Sequence, residues 1–263
     1  MQMTKLYLRR ISIFWFLFSL FLSPNALARK NAAQQDAAPK NAASKCASPK
    51  DTAPKNATAS LESVLTSMDK AADGFKTTEA DFAWDQFTKV VEQTETQKGK
   101  IYFRRAGKEV QMMADVTGPD PKDKKSVLFA DSKFQLYEPK TDQVTIRNTS
   151  NNSEVESYLV LGFGGRGHDL AKSFDVSYLG SEKVGEVQTE KINLVPKSEK
   201  VRNNFDHVIL WIDPSRGISV QQQLIAANGD YRLAKYSNIR FPQKLADNVF
   251  KLKTTGKTKF VTP

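Results

Sequence analysis

The sequence predicts a mainly β, α+β domain in which a few helices pack against an antiparallel sheet. Three observations carry this. Between residues 78 and 249 the chain is written as short runs of alternating apolar and polar side chains, bounded by Gly, Pro, Asn, Asp or Ser. Helical spacing is confined to two stretches. No residue types suited to covalent chemistry gather in a motif, so the sheet reads as a container and function is sought in what it encloses.

The first 28 residues have the three parts of a secretory signal: Lys5, Arg9 and Arg10, an apolar stretch over 11–22, then Ala26-Leu27-Ala28. A 12-residue apolar core falls short of the ~20 residues that span a bilayer, so export rather than anchoring is expected. Residues 29–60 repeat Ala, Pro, Lys and Asn, with six basic and two acidic residues. This reads as a disordered, solvated tether with too few apolar side chains to offset the entropy of ordering. The one cysteine, Cys46, lies in that tether, so an internal disulfide or a zinc motif is not available. Residues 61–263 carry 30 basic and 27 acidic side chains. That balance lacks the electrostatic footprint of a nucleic-acid binder. About 200 residues suffice for one core, and one domain, taken as a monomer, is expected.

In chain order, Leu61, Val64, Leu65, Met68, Ala71 and Ala72 share a helical face, with Ser60 placed to cap the start and Gly74 the end. From Thr78 the period becomes two: Ala80, Phe82 and Trp84 face one way, and Glu79, Asp81 and Asp85 face solvent. Over residues 99–105, Ile101 and Phe103 share a face with Arg105. That guanidinium either reaches the rim and stays wet, or satisfies backbone carbonyls of an element lying over the sheet. Further strands are expected at 110–116, 127–130, 134–137 and 143–147, the last two as a hairpin around Glu138-Pro139-Lys140-Thr141-Asp142. Spacing of three and four at Val155, Tyr158 and Leu159 predicts a second helix over 153–161. Strands follow at 174–179, 187–195, 207–213, 218–226 and 230–240, with Asn228-Gly229 as the strongest hairpin turn signal. Residues 208–212 are apolar on both faces, which implies cover on both sides of the sheet there.

Gly162-Phe163-Gly164-Gly165-Arg166-Gly167 matches the dinucleotide fingerprint letter for letter. The fingerprint needs a strand before it and a long crossover helix after it; here only residues 168–173 precede the next strand. A glycine hinge beside a helix, as a movable lid requires, is the preferred reading. His168 and His207 have no metal-ligand spacing, and no nucleophile elbow accompanies the serines. No enzymatic activity, metal or cofactor is expected.

The run Gly99-Lys100-Ile101-Tyr102-Phe103-Arg104-Arg105, followed by Ala130-Asp131-Ser132-Lys133-Phe134-Gln135-Leu136-Tyr137-Glu138-Pro139-Lys140-Thr141-Asp142-Gln143-Val144, resembles the LolA-type lipoprotein carriers, as does the terminal Asp247-Asn248-Val249-Phe250-Lys251-Leu252. The order of these short motifs along residues 61–263 carries the resemblance. It implies an incomplete antiparallel β-barrel covered by a few helices, with an apolar cavity between them. It also implies a periplasmic carrier that takes lipoproteins from an ATP-driven ABC exporter in the inner membrane to an outer-membrane acceptor. The family's lid-bonding arginine is matched by Arg105; Ala106 stands where the family has proline, and Ser132 where it has glycine.

Parity places Phe82, Trp84, Ile101, Phe103, Met112, Phe129 and Leu136 inward, with Leu159 and Phe163 from the cover. Each reads either as acyl-chain lining or as ordinary core. With Arg105 they form the expected ligand-binding set. A periplasmic lipid-sensing or regulatory module of the same fold remains the alternative to a carrier.

Overall fold

The computed structural model describes residues 55–106, 109–148, 161–202 and 205–262. The predicted signal, nearly all of the tether and the second helix, with Leu159, lie outside them. Helix α1 (Lys55–Gly74) opens the described chain. It begins six residues ahead of the predicted start at Leu61, so Ser60 lies within the helix rather than capping it, and residues 55–60 belong to the helix and not to the tether. Eleven strands follow: β1 (Thr77–Thr88), β2 (Gln93–Ala106), β3 (Glu109–Thr117), β4 (Lys124–Ala130), β5 (Lys133–Glu138), β6 (Gln143–Asn148), β7 (Phe174–Val184), β8 (Val187–Pro196), β9 (His207–Asp213), β10 (Ile218–Ile225) and β11 (Tyr231–Arg240). The twelfth strand, β12 (Lys259–Val261), and two one-turn helices, α2 (Leu170–Ser173) and α3 (Glu199–Arg202), go beyond the sequence prediction, being too short to show a period.

Among the described residues all twelve strands join one sheet in the order β12-β6-β5-β4-β3-β2-β1-β11-β10-β9-β8-β7. It stays open between β12 and β7, and every neighbouring pair is antiparallel except β12 beside β6. Hairpins supply most of this order, because short turns can only join antiparallel neighbours. The exceptions are β12 beside β6 and β1, which pairs with β2 on one side and with β11 on the other, so the two halves of the chain meet along one strand. Four-residue α2 confirms that nothing long enough for a parallel crossover follows the glycine run.

The registers set the two faces. One row across the sheet reads Ala80, Ile101, Ala114, Val127, Leu136 and Thr145. The next reads Thr78, Phe103, Met112, Phe129, Phe134 and Arg147. This is the inner face, and its large residues are nearly all buried. On the outer face Asp81 pairs with Lys100 at 3.4 Å, Asp85 with Lys235 at 3.2 Å and Glu79 with Arg240 at 2.9 Å, so the acidic trio of β1 is solvated and paired as parity predicts.

Further along, the outer face is covered. Met113, Leu128 and Ala130 form a second buried cluster with Leu245 and Phe250, joined by Tyr102, Val249 and Leu252. A one-turn 3-10 helix over Asp247–Phe250 brings these side chains in. Arg104 ties it down, bonding Asp247 and lying 4.3 Å from the centre of the Phe250 ring. The family-like terminal motif therefore acts as a cover for β2–β4.

Gly99 marks how tightly β2 and β3 lie together, because a Cβ there would run into the Asp115 carbonyl and the Phe82 ring. Phe129 is 1% exposed, with its ring 4.9 Å from that of Phe134. Phe129→Ala is expected to cost about 3–5 kcal/mol in urea unfolding. A loss under about 1 kcal/mol would show that the inner face is loosely filled.

Candidate functional site

The inner-face residues selected from parity converge. Phe82, Ile101, Phe103, Met112, Phe129 and Phe163 are buried, while Trp84 and Leu136 are partly so. Several touch one another: Phe82 stacks on Trp84 with ring centres 4.3 Å apart, and Phe103 on Phe163 at 5.4 Å. Phe163 also meets Tyr236 edge-on at 4.6 Å. Arg105 sits at the rim, largely exposed, on the same face.

Residues 161–167 lie across this face as a strap that carries Phe163 inward. Its backbone is bonded to the sheet at three carbonyls. Gln222 donates to Leu161 O, the Ser219 N–H to Gly162 O at 2.9 Å, and Arg105 Nη2 to Gly164 O at 3.1 Å. Of the two readings of Arg105, the second holds: it satisfies a carbonyl of the covering element. Its guanidinium also lies 5.6 Å from the centre of the Phe75 ring, just beyond the end of α1. A polar relay supports Gln222, for the Trp84 indole donates to the Tyr236 hydroxyl, which donates to Gln222 Oε1 at 3.3 Å. Burial pushes the Tyr236 phenol far up, against the effect of Trp84, and keeps it a neutral donor.

The glycines are chosen for closeness. Gly162 and Gly164 have positive φ, and a Cβ on Gly164 would enter the Phe75 ring. One on Gly167 would strike the Leu65 backbone of α1. The segment that reads from sequence as a flexible hinge is thus a close-packed strap, pinned between helix and sheet.

Charges complete the attachment to α1. The two ring nitrogens of His168 lie 2.6 Å from Asp69 and 3.0 Å from Glu62, and its backbone N–H donates to Asp69 at 3.3 Å. Arg166 pairs with Asp73 and lies 3.8 Å from Asp69. Only the imidazolium can donate through both nitrogens at once. The Asp69 and then the Glu62 hydrogen bonds raise the His168 pKa above its ordinary 6.5. At Asp69 burial acts upward, but the His168 bonds and the His168 and Arg166 charges outweigh it and leave the carboxyl below 3.8.

Four contributors escape the sequence reading: Gln222 and Tyr236 under the strap, His168 on its far end, and Arg232. The last shares the inner face with Gln86 and Trp84, and burial lowers it to about 9 against the pull of Asp230, so it stays cationic at neutral pH. Alternation over 230–240 places Arg232, Ala234 and Tyr236 on one side, but with one large apolar residue among three the inward direction is not legible.

A raised folded-state pKa makes the His168 contribution full below about pH 6.5, with loss as pH rises through the folded value. The lowered Asp69 acts oppositely, its contribution present above about pH 3.8 and lost as pH falls through the folded value. Amide exchange at Gly165 and Gly167 is therefore expected to quicken, beyond the intrinsic pH effect, as pH rises above 6.5. His168→Gln should remove that excess; an unchanged pH profile in the variant would assign the strap's hold elsewhere.

Among solved structures, an uncharacterized conserved protein from Thermus thermophilus matches with TM-score 0.51 at 11% identity, over 78% of this chain and 99% of the other. A DUF1329 family protein from Desulfovibrio piger matches with TM-score 0.45 at 14% identity, over 74% and 97%. LprF from Mycobacterium bovis matches with TM-score 0.42 at 9% identity, over 72% and 96%. At this identity the likeness to the Thermus thermophilus protein concerns the fold alone. No curated protein matches the chain. The model of the family described as outer membrane lipoprotein carrier protein LolA matches residues 73–253, well over half of the sequence, and the chain belongs to that family.

Proposed function

We propose that the protein is an exported periplasmic carrier that binds acyl chains of lipoproteins, or of a related lipid, against the inner face and moves them from the inner to the outer membrane. Family membership supports the binding class. The observation that carries the reading is the manner of closure. A broad apolar face is crossed by a strap whose described sheet attachments are separate polar bonds at Leu161, Gly162 and Gly164. Each such bond contributes about 1 kcal/mol net, so together they hold a cover that can still lift.

The energetics suit a carrier. An acyl chain of about 16 carbons loses roughly 12 kcal/mol on entering water, at ~0.8 kcal/mol per CH₂. A soluble carrier must replace that burial, and lifting the strap takes Phe163 out of the aromatic stack on Phe103 and Tyr236 and leaves its place for hydrocarbon. Arg105 then biases the equilibrium between closed and open strap. Loading from an inner-membrane ABC exporter and release to an outer-membrane acceptor complete the route in this reading, after cleavage of the leader at Ala28. Catalysis has no part in it.

Lipids extracted from the purified protein should appear by mass spectrometry, and a fluorescent fatty acid should compete with them. Protein recovered without lipid and without competition would sink the reading. Lipid held but never passed between vesicles would favour the regulatory module instead. Arg105→Leu is expected to change unfolding free energy by no more than about 1 kcal/mol, because the side chain is exposed. It should alter the rate of chain transfer several-fold, and equal rates would remove Arg105 from the mechanism.

A further inference from the structure

We propose that the C-terminal edge of the sheet, β12 with the segment leading into it, is a docking surface for an anionic phospholipid bilayer. The inference deepens the carrier reading by naming the surface on which cargo is exchanged, and its test separates the two.

The charge of the folded part is unevenly distributed. Residues 61–240 hold 25 basic and 26 acidic side chains, whereas residues 241–263 hold five lysines and one acid, Asp247. Asp247 is already engaged by Arg104, whose hydrogen bond and charge hold its carboxyl low, with Lys244 and Lys251 adding to the effect. Lys253, Lys257 and Lys259 make no ion pair with a carboxylate among the described residues. The near neutrality of the rest makes residues 241–263 the basic stretch of the folded part.

Apolar side chains stand in the same place. Phe260 is 61% exposed and Val261 38% exposed. Register explains why Phe260 is out in the open. It continues the outer-face row Ser126, Tyr137 and Val144 by one strand. Tyr137 and Val144 are buried in that row, but Phe260 falls past the last neighbour. The edge is nevertheless well held. Thr255 and Thr258 donate to the Asp142 carboxylate at 2.6 and 2.5 Å, and the Lys259 N–H donates to Asp142 O at 2.9 Å. Asp142 accepts from these hydroxyls and makes no ion pair with Lys257 or Lys259 among the described residues.

An aromatic ring beside unpaired lysines on a fixed edge suits an anionic bilayer, the ring entering the headgroup boundary while the ammonium groups meet phosphates. Edge lysines also deter strand-to-strand aggregation, which would explain the charge without a membrane. That alternative gives no reason to keep Phe260 exposed, since a bare aromatic on an edge strand invites the pairing that lysines prevent.

The test is flotation of the exported chain, residues 29–263, with vesicles of phosphatidylethanolamine containing phosphatidylglycerol, against vesicles of phosphatidylcholine. Binding is expected to the anionic vesicles only and to weaken with salt. Replacing both Lys257→Glu and Lys259→Glu should lower it at least tenfold, at about fivefold per lysine, and Phe260→Ser several-fold. Tether variants Lys40→Gln, Lys45→Gln and Lys50→Gln isolate the contribution of the basic N-terminal segment. Binding that survives the edge substitutions, vanishes with the tether substitutions or is equal on neutral vesicles would overturn the proposal. Fatty-acid competition by the edge variants should match that of the parent chain, with an unchanged melting curve. A chain that binds vesicles through this edge but no fatty acid would refute the carrier reading alone.

Discussion

An open sheet with a continuous apolar face has to be covered, and the rest of this structure follows from how that is done. Among the described residues twelve strands run from β12 to β7 without closing, and the inner rows through Phe103, Met112 and Phe129 are buried. Water on that surface would cost about 25 cal/mol for each Å² left bare. The strap over residues 161–167 is part of the answer, placing Phe163 against Phe103 and Tyr236. Helix α1 packs behind it, with Val64, Leu65, Met68 and Ala72 buried.

The strap joins two kinds of interaction that behave differently on opening. Ring stacking and glycine close-packing act over a few tenths of an ångström and vanish together once the segment lifts. The polar attachments at Gln222, Ser219 and Arg105 fix its register and can be exchanged for water at modest net cost. Ionic contacts of Arg166 and His168 bind its far end to α1 rather than to the sheet. Cover and helix are consequently coupled, and whatever displaces one is felt by the other.

The two faces of the sheet have different fates. Near β1 the outer face is ionic, with Asp81, Asp85 and Glu79 paired to lysines and an arginine. Over β2–β4 the C-terminal segment buries Met113 and Leu128 instead. That segment then turns back through Thr255 and Thr258 to add β12 in parallel beside β6, which leaves Phe260 without a neighbour on one side. The same stretch of chain thus seals one surface and exposes another.

Much of this is legible in the residues because period-two alternation is a local property. The strands at 78–87, 110–116 and 207–213, the outward acidic trio and the inward side of Arg105 all follow from parity alone. Legibility fails where partners are distant in sequence. Nothing near Gln222 or Tyr236 announces that they support a carbonyl at Leu161, and nothing near His168 announces Asp69 and Glu62 about a hundred residues earlier. The glycine run reads as a hinge because its neighbours, Phe75 and Leu65, become neighbours only on folding. By itself the sequence determined the strand periods, the side on which each residue lies and the family motifs in their order. Tertiary structure alone decided that β1 would join the two halves, that the glycines would be packed rather than loose, and that Phe163 would stack on Phe103. The reason is physical: side-chain parity is set by backbone geometry within a few residues, whereas close packing and hydrogen-bond partners are set by which surfaces the whole chain brings into contact.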